Sequence, residues 1–235
     1  MTCYRWLLFD ADGTLFDYDT AEAAALAATW ESLGLEPPPG LVDAYRRINA
    51  ELWQVYEAGG ISQTALQVER FVRLIGELGG SADPSRLSRG YLRYLARQTD
   101  LLEGARELLD WLDGRFRLAL ITNGIPEVQR PRIGLSGFDR LFPVVVISGE
   151  EGVAKPAPEI FDVALRRMGD PRRQEVLLIG DSLSSDIRGG VDYGLDTCWY
   201  NPDGLELGDG PEPRYQIRRL GELRGIVGEA SPPSS

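Results

Sequence analysis

The chain has 235 residues, 43% of them hydrophobic and 26% charged, enough apolar material for a sizeable globular core. A formal net charge of −11 speaks against a nucleic acid polymer as partner, since duplex binding draws on clustered Lys and Arg, but leaves room for a small phosphate ester. The sequence holds no histidine, which excludes imidazole triads and His-ligated zinc and leaves acid–base work to carboxylates, Lys or Tyr.

In chain order, Trp6-Leu7-Leu8-Phe9 predicts a short buried strand, ended by Asp10 and a glycine-containing turn. The next eighty or so residues carry helical spacing only, over residues 21–33, 41–56, 63–78 and 86–97, with Gly34, the Pro37-Pro38-Pro39-Gly40 run, Gly59-Gly60 and Gly79-Gly80 between them. From Leu102 the pattern alternates. A helix over 105–112 leads to a strand over 117–121 and the turn Thr122-Asn123-Gly124; a proline at 131 is expected to interrupt the helix that follows. An apolar run over 143–147, a helix over 158–168, a strand over 176–179, a helix near 187–193, a strand over 197–200 and a last helix at 221–227 complete the series.

Strands alternating with helices predict an α/β fold, a Rossmann-like doubly wound parallel sheet. The core is expected from residues 1–16 and 101–235, with an all-helical cap inserted over 17–100 after the first strand. An insertion at that strand's carboxyl end would act as a lid, because open α/β sheets bind ligands there.

Cys3 and Cys198 form neither a disulfide framework nor a metal-ligand pattern, so a reducing cytoplasm is the expected compartment. No run reaches the roughly 18 consecutive apolar residues of a membrane helix, and no signal peptide is read at the N-terminus.

Four polar clusters each follow a strand or strand-like run: Asp10-Ala11-Asp12-Gly13-Thr14, Thr122-Asn123-Gly124, Lys155-Pro156, and Gly180-Asp181-Ser182 extended to Asp186. Taken singly, each is ordinary turn or helix-cap chemistry. Together, at carboxyl ends that a doubly wound sheet converges on one crevice, they describe a site for Mg²⁺ and phosphate. Mg²⁺ prefers hard oxygen ligands, which Asp10 and Asp181 can supply. A carboxylate can also attack phosphorus, provided cations such as Mg²⁺ and Lys155 offset its repulsion with the phosphate. Asp12 is placed to protonate the leaving oxygen if the chain turns sharply at Gly13.

In this order the clusters resemble those of the haloacid dehalogenase superfamily of phosphotransferases, over nearly the whole chain, with the helical block similar to that family's helical cap. The resemblance implies Asp10 as nucleophile and Asp12 as general acid/base, with the Asp12 carbonyl also on the metal. It implies Thr122 and Asn123 as holders of the transferring phosphoryl group, Lys155 as its neutralising charge, Asp181 as the further Mg²⁺ ligand and Asp186 as the residue orienting Lys155 or a metal-bound water. The dehalogenases proper lack the second aspartate, so Asp12 points to a phosphatase. The cap segment Leu52-Trp53-Gln54-Val55-Tyr56, with Gly60-Ile61-Ser62 and Arg70-Phe71, is similar to the pyrimidine 5′-nucleotidase branch, as are Val153-Ala154-Lys155-Pro156 and Thr197-Cys198-Trp199-Tyr200. The expected substrate is then a small phosphorylated metabolite, a (deoxy)pyrimidine nucleoside monophosphate, with Trp53, Tyr56 and Arg70 as candidate cap contacts. A phosphoglycolate or sugar-phosphate phosphatase, a phosphomutase and a phosphate-dependent regulatory protein are the competing expectations. Either a monomer or a homodimer suits the sequence.

Overall fold

The computed structural model describes residues 4–228; Cys3 lies outside them. The described chain divides into two compact units, one of 4–18, 100–124 and 136–228, the other of 19–99 and 125–135.

The first unit is built on six strands: β1 (Trp6–Phe9), β2 (Arg117–Thr122), β3 (Val144–Ile147), β4 (Val176–Gly180), β5 (Asp196–Tyr200) and β6 (Tyr215–Ile217). They pair throughout in parallel, in the order β3-β2-β1-β4-β5-β6. Strands buried on both faces should be continuous apolar runs, and Trp6-Leu7-Leu8-Phe9 and Val176-Leu177-Leu178-Ile179 are fully such. Its helices are α5 (Ala105–Leu112), α7 (Phe138–Leu141), α8 (Ser148–Glu151), α9 (Pro158–Arg167), α10 (Arg188–Tyr193) and α11 (Leu223–Val227). One core layer joins Trp6, Leu8, Ile121 and Val146 of the sheet to Ile160, Phe161 and Leu165 of α9. The strand order runs outward from β1 to β3 on one side and from β4 to β6 on the other. The order therefore reverses between β1 and β4, the place where doubly wound sheets open a binding crevice at their carboxyl ends.

The second unit carries α1 (Tyr18–Ser32, its first residue in the other unit), α2 (Leu41–Glu57), α3 (Gln63–Leu78), α4 (Pro84–Leu95) and α6 (Pro126–Leu135). Ser62 caps α3 by accepting from the Ala65 N–H at 3.2 Å, and Gly79 ends it with a φ of 70°. Asp83 caps α4 by accepting from the Ser85 N–H at 2.8 Å, followed by proline at the first helical position. The core is a ring cluster, with Tyr45 5.1 Å from Tyr91 and 5.4 Å from Phe71, centroid to centroid. Among the described residues no helix is long and apolar enough to cross a membrane.

Two expectations need correction. Pro131 does not interrupt the helix after β2: α6 runs on to Leu135. The proline withholds one backbone N–H, but the burial of Val128, Gln129, Arg132 and Ile133 and an Arg132 Nε–Gln98 carbonyl bond of 2.8 Å hold the helix together across it. The segment 125–135, read from the sequence as core, clusters with the helical unit.

Candidate active site

Asp10 directly follows β1 and Asp181 directly follows β4, the two strands at the reversal. The Asp10 N–H donates to the Ile179 carbonyl at 2.8 Å, which extends the β1–β4 ladder to the aspartate itself. The chain then turns hard. Leu15 and Phe16 N–H groups both donate to the Ala11 carbonyl at 2.9 Å, and the Gly13 N–H donates to the Phe16 carbonyl. Gly13 sits at a φ of 81°, and a Cβ there would lie 2.6 Å from Asp181 Oδ2, so only glycine suits both the turn and its neighbour. Asp12, on this turn, is partly exposed.

Lys155 is the centre of the cluster. Its ammonium, 1% exposed, lies 2.5 Å from Asp10 Oδ1, 2.6 Å from Asp186 Oδ1 and 3.0 Å from the Ile121 carbonyl. Those three contacts use all its protons. Asp186, also buried, places its other oxygen on the Ser182 N–H at 3.1 Å. A Cβ on Gly180 would fall 2.3 Å from Asp186 Cγ, so the last residue of β4 must be glycine for Asp186 to reach the lysine. Asp181 accepts from Thr14 Oγ1 at 3.0 Å, and its backbone carbonyl accepts from Trp199 Nε1 at 2.9 Å.

Thr122 is buried at the end of β2. The Asn123 side chain reaches across to Lys155: its amide donates to the Lys155 carbonyl and its oxygen accepts from the Lys155 N–H, both at 2.8 Å. It clamps the backbone of the lysine, across a peptide bond to Pro156 that is cis. The sequence-predicted residues Asp10, Asp181, Asp186, Lys155 and Asn123 are thus brought together within one unit.

The cap candidates sit in the helical unit. Trp53 and Tyr56 are half-buried and pack edge to face at 5.4 Å. Arg70 is 1% exposed, its guanidinium 4.8 Å from the Tyr91 ring centroid and bonded to Asn49 Oδ1 at 3.3 Å.

Three carboxylates, Asp10, Asp181 and Asp186, present oxygens within 4.8 Å of one another against a single ammonium. Two of these groups, Asp10 and Asp181, therefore hold their protons more tightly than ordinary carboxyls do. Burial pushes Asp10 well above the usual range, against the pull of Lys155, with the Asp186 and Asp181 charges adding to the rise. Burial and then the Asp186 charge lift Asp181 to about 7, although the Thr14 hydroxyl opposes this. Lys155 loses by burial but gains more from Asp10 and Asp186, and stands above the ordinary lysine value. Such an excess of negative charge on hard oxygens is what a divalent cation relieves, so the residues present fit Mg²⁺.

Raised carboxyl pKa values also set a pH dependence. The metal-free fold keeps the Asp181 contribution at acid pH and loses it as pH climbs towards 7, because the folded state there binds more protons than the unfolded one. Mg²⁺ needs the anion. Its stabilisation, read as the rise in thermal midpoint on adding Mg²⁺, should therefore be larger at pH 8 than at pH 5.5; an equal rise at both would show that Asp181 is not the titrating ligand.

The haloacid dehalogenase-like hydrolase family model matches residues 4–194. This chain belongs to that family. It is 37% identical over 227 residues to the HAD-hydrolase YfnB of Bacillus subtilis, covering 97% of each chain. It is 35% identical to the pyrimidine 5′-nucleotidase YjjG of Escherichia coli, covering 95% of this chain and 98% of that one. It is 38% identical to the pyrimidine 5′-nucleotidase PynA of Streptococcus pneumoniae, covering 94% and 93%. The magnesium-bound crystal structure of YfnB, described as revealing interdomain movement, superimposes with a TM-score of 0.90 at 36% identity, over 96% of this chain and 99% of that one. A hydrolase of this family, on a Rossmann-like sheet, is what the strand-end clusters foretold.

What the sequence left unread is the support behind these groups. Thr14 stands in its cluster without a role, Gly180 reads as a strand end, and Trp199 reads as strand and as part of a branch-like segment, with no role at the site. Their spacing to Asp181 and Asp186 exists only once β4 lies between β1 and β5.

Proposed function

We propose that the protein is a Mg²⁺-dependent phosphomonoester hydrolase working through an aspartyl-phosphate on Asp10, and that its substrates are (deoxy)pyrimidine nucleoside monophosphates. The observation that carries the chemistry is the buried Asp10–Lys155–Asp186 triad with Asp181 alongside, at the reversal point of the sheet. Asp10, Asp181 and the Asp12 carbonyl would hold the cation, which when bound neutralises charge on the phosphoryl oxygens. Thr122 and the turn at Asn123 receive the phosphoryl group, and Lys155, held by Asn123 and Asp186, offsets its charge. A carboxylate oxygen of Asp10 attacks phosphorus in line, the bond to the 5′-oxygen breaks, and Asp12 gives that oxygen its proton. Asp12 then takes a proton from water, which cleaves the acyl phosphate and releases inorganic phosphate.

The nucleotide assignment is supported by the two relatives named as pyrimidine 5′-nucleotidases. In this reading the helical unit is the cap, its half-buried Trp53 and Tyr56 are the rings that meet the base, and Arg70 braces the unit's aromatic core.

The test is inorganic phosphate release with Mg²⁺ over dUMP, dTMP, UMP, purine monophosphates, phosphoglycolate and sugar phosphates. Pyrimidine monophosphates should turn over best. A preference for phosphoglycolate or a sugar phosphate would keep the chemistry and discard the substrate class. The acid role is tested separately. Asp12→Asn should slow nucleotide hydrolysis by about 10²–10⁴-fold but spare aryl phosphates, whose leaving group needs no proton; equal loss on both substrates removes Asp12 from the acid role.

A further inference from the structure

Asp181 is gripped from three sides. Thr14 Oγ1 fixes one carboxylate oxygen at 3.0 Å, and the bare Cα of Gly13 leaves just enough room for the other. The third hold comes from the neighbouring strand. Trp199, 2% exposed, lies on β5 opposite Gly180, and its indole N–H reaches past the end of β4 to donate to the Asp181 carbonyl at 2.9 Å. A buried indole has one donor and needs one acceptor, and a carbonyl past the last ladder residue needs a donor. The pair satisfies both. It also pins the backbone from which the Asp181 carboxylate projects, just before the chain turns into the π-helical segment Leu183–Ile187 that carries Asp186 to Lys155.

We propose that Trp199 is a positioning residue for the divalent cation, acting through the Asp181 carbonyl to hold that carboxylate where the cation binds. The inference rests on the reading of Asp181 as a ligand given above. Groups that orient metal ligands commonly matter for affinity about as much as a weak ligand does, with losses of roughly 10- to 100-fold on removal. Trp199→Phe keeps a large aromatic ring and removes only the donor.

The measurement is direct Mg²⁺ binding to metal-free protein by calorimetry, alongside kinetics at saturating Mg²⁺. Wild type should bind Mg²⁺, and Trp199→Phe should bind it about tenfold more weakly. Its KM for substrate at saturating Mg²⁺ should change by less than about twofold. Unchanged Mg²⁺ affinity in a folded Trp199→Phe variant overturns the proposal and leaves the reading of the site intact. Equal weakening of Mg²⁺ and substrate also overturns it, since that is general damage. A wild-type protein that binds no Mg²⁺ ends both. Should the variant fail to fold, the wild-type indole N–H spectrum decides: one of the five tryptophan resonances should shift in step with Mg²⁺ saturation, and no such shift refutes the role.

Discussion

Asp10→Asn should abolish turnover while leaving a protein at least as stable as wild type. An amide oxygen of the same size cannot form a productive acyl phosphate, so the loss should reach about 10⁴-fold or more, as for nucleophiles in other covalent enzymes. Stability moves the other way. Burial and two neighbouring carboxylates already hold Asp10 above the ordinary range, which means that its charged form is penalised in the fold. Replacing it by a neutral amide removes one of three negative charges facing a single lysine. The metal-free variant should therefore melt no lower than wild type at pH 8. Lys155 keeps Asp186 as partner, so its own charge remains paired. Rapid acid quench of wild type during turnover should capture the heavier, phosphorylated chain by mass spectrometry, and Asp10→Asn should show none. Appreciable turnover in the variant, or a phosphorylated peptide that excludes Asp10, would displace the nucleophile to another residue.

Much of this site was legible because parallel sheets write themselves plainly. β1 and β4 are buried on both faces, so they appear as unbroken apolar runs, and the first polar residue after each marks the strand's end. Asp10 and Asp181 are those residues or their immediate neighbours. β6 escaped notice because Tyr215–Ile217 is a three-residue edge strand with one exposed and one half-buried position, too short for any period to register. The short helices α7 and α8 escaped for the same reason. Arg70 shows a subtler limit. It was grouped with Trp53 and Tyr56 as a substrate contact, yet it lies four residues from both Leu66 and Leu74, on the same face of α3. That face is the buried one, and a guanidinium can occupy it because three aromatic rings and Asn49 receive it. Helical phase alone places it inward, whereas the resemblance offered it as a cap contact. Asn123 is the converse. Its turn was visible, but its reciprocal bonds to Lys155 join two loops whose separation depends on β2–β3 register and the geometry after α8.

Lys155→Met should cost both activity and, in a pH-dependent way, stability. The ammonium is 1% exposed and bridges two carboxylates that are 6% and 1% exposed, so removing it strands negative charge rather than merely deleting a contact. Losing one partner of a buried pair costs about 3–5 kcal/mol when the other cannot neutralise itself. Here it can, by taking up protons. Without the lysine's pull the already raised Asp10 and Asp181 carboxyls rise further, so the folded variant binds more protons than the unfolded chain across a wider range. Stability is then retained at acid pH and lost as pH rises through those values. The deficit against wild type, measured by urea unfolding without metal, should approach about 3 kcal/mol at pH 8 and shrink markedly by pH 5. Lys155→Met/Asp186→Asn removes one stranded charge as well and should recover much of the pH 8 deficit. It should recover no turnover, because the charge proposed to offset the phosphoryl group is still missing, a loss of about 10³-fold. A deficit of equal size at both pH values would mean that Lys155 holds the fold by its packing and its bond to the Ile121 carbonyl, not by balancing Asp10 and Asp186. The two outcomes separate an electrostatic keystone from a structural one, and only the first fits the proposal that Lys155 balances the charge of a phosphoryl group beside Asp10.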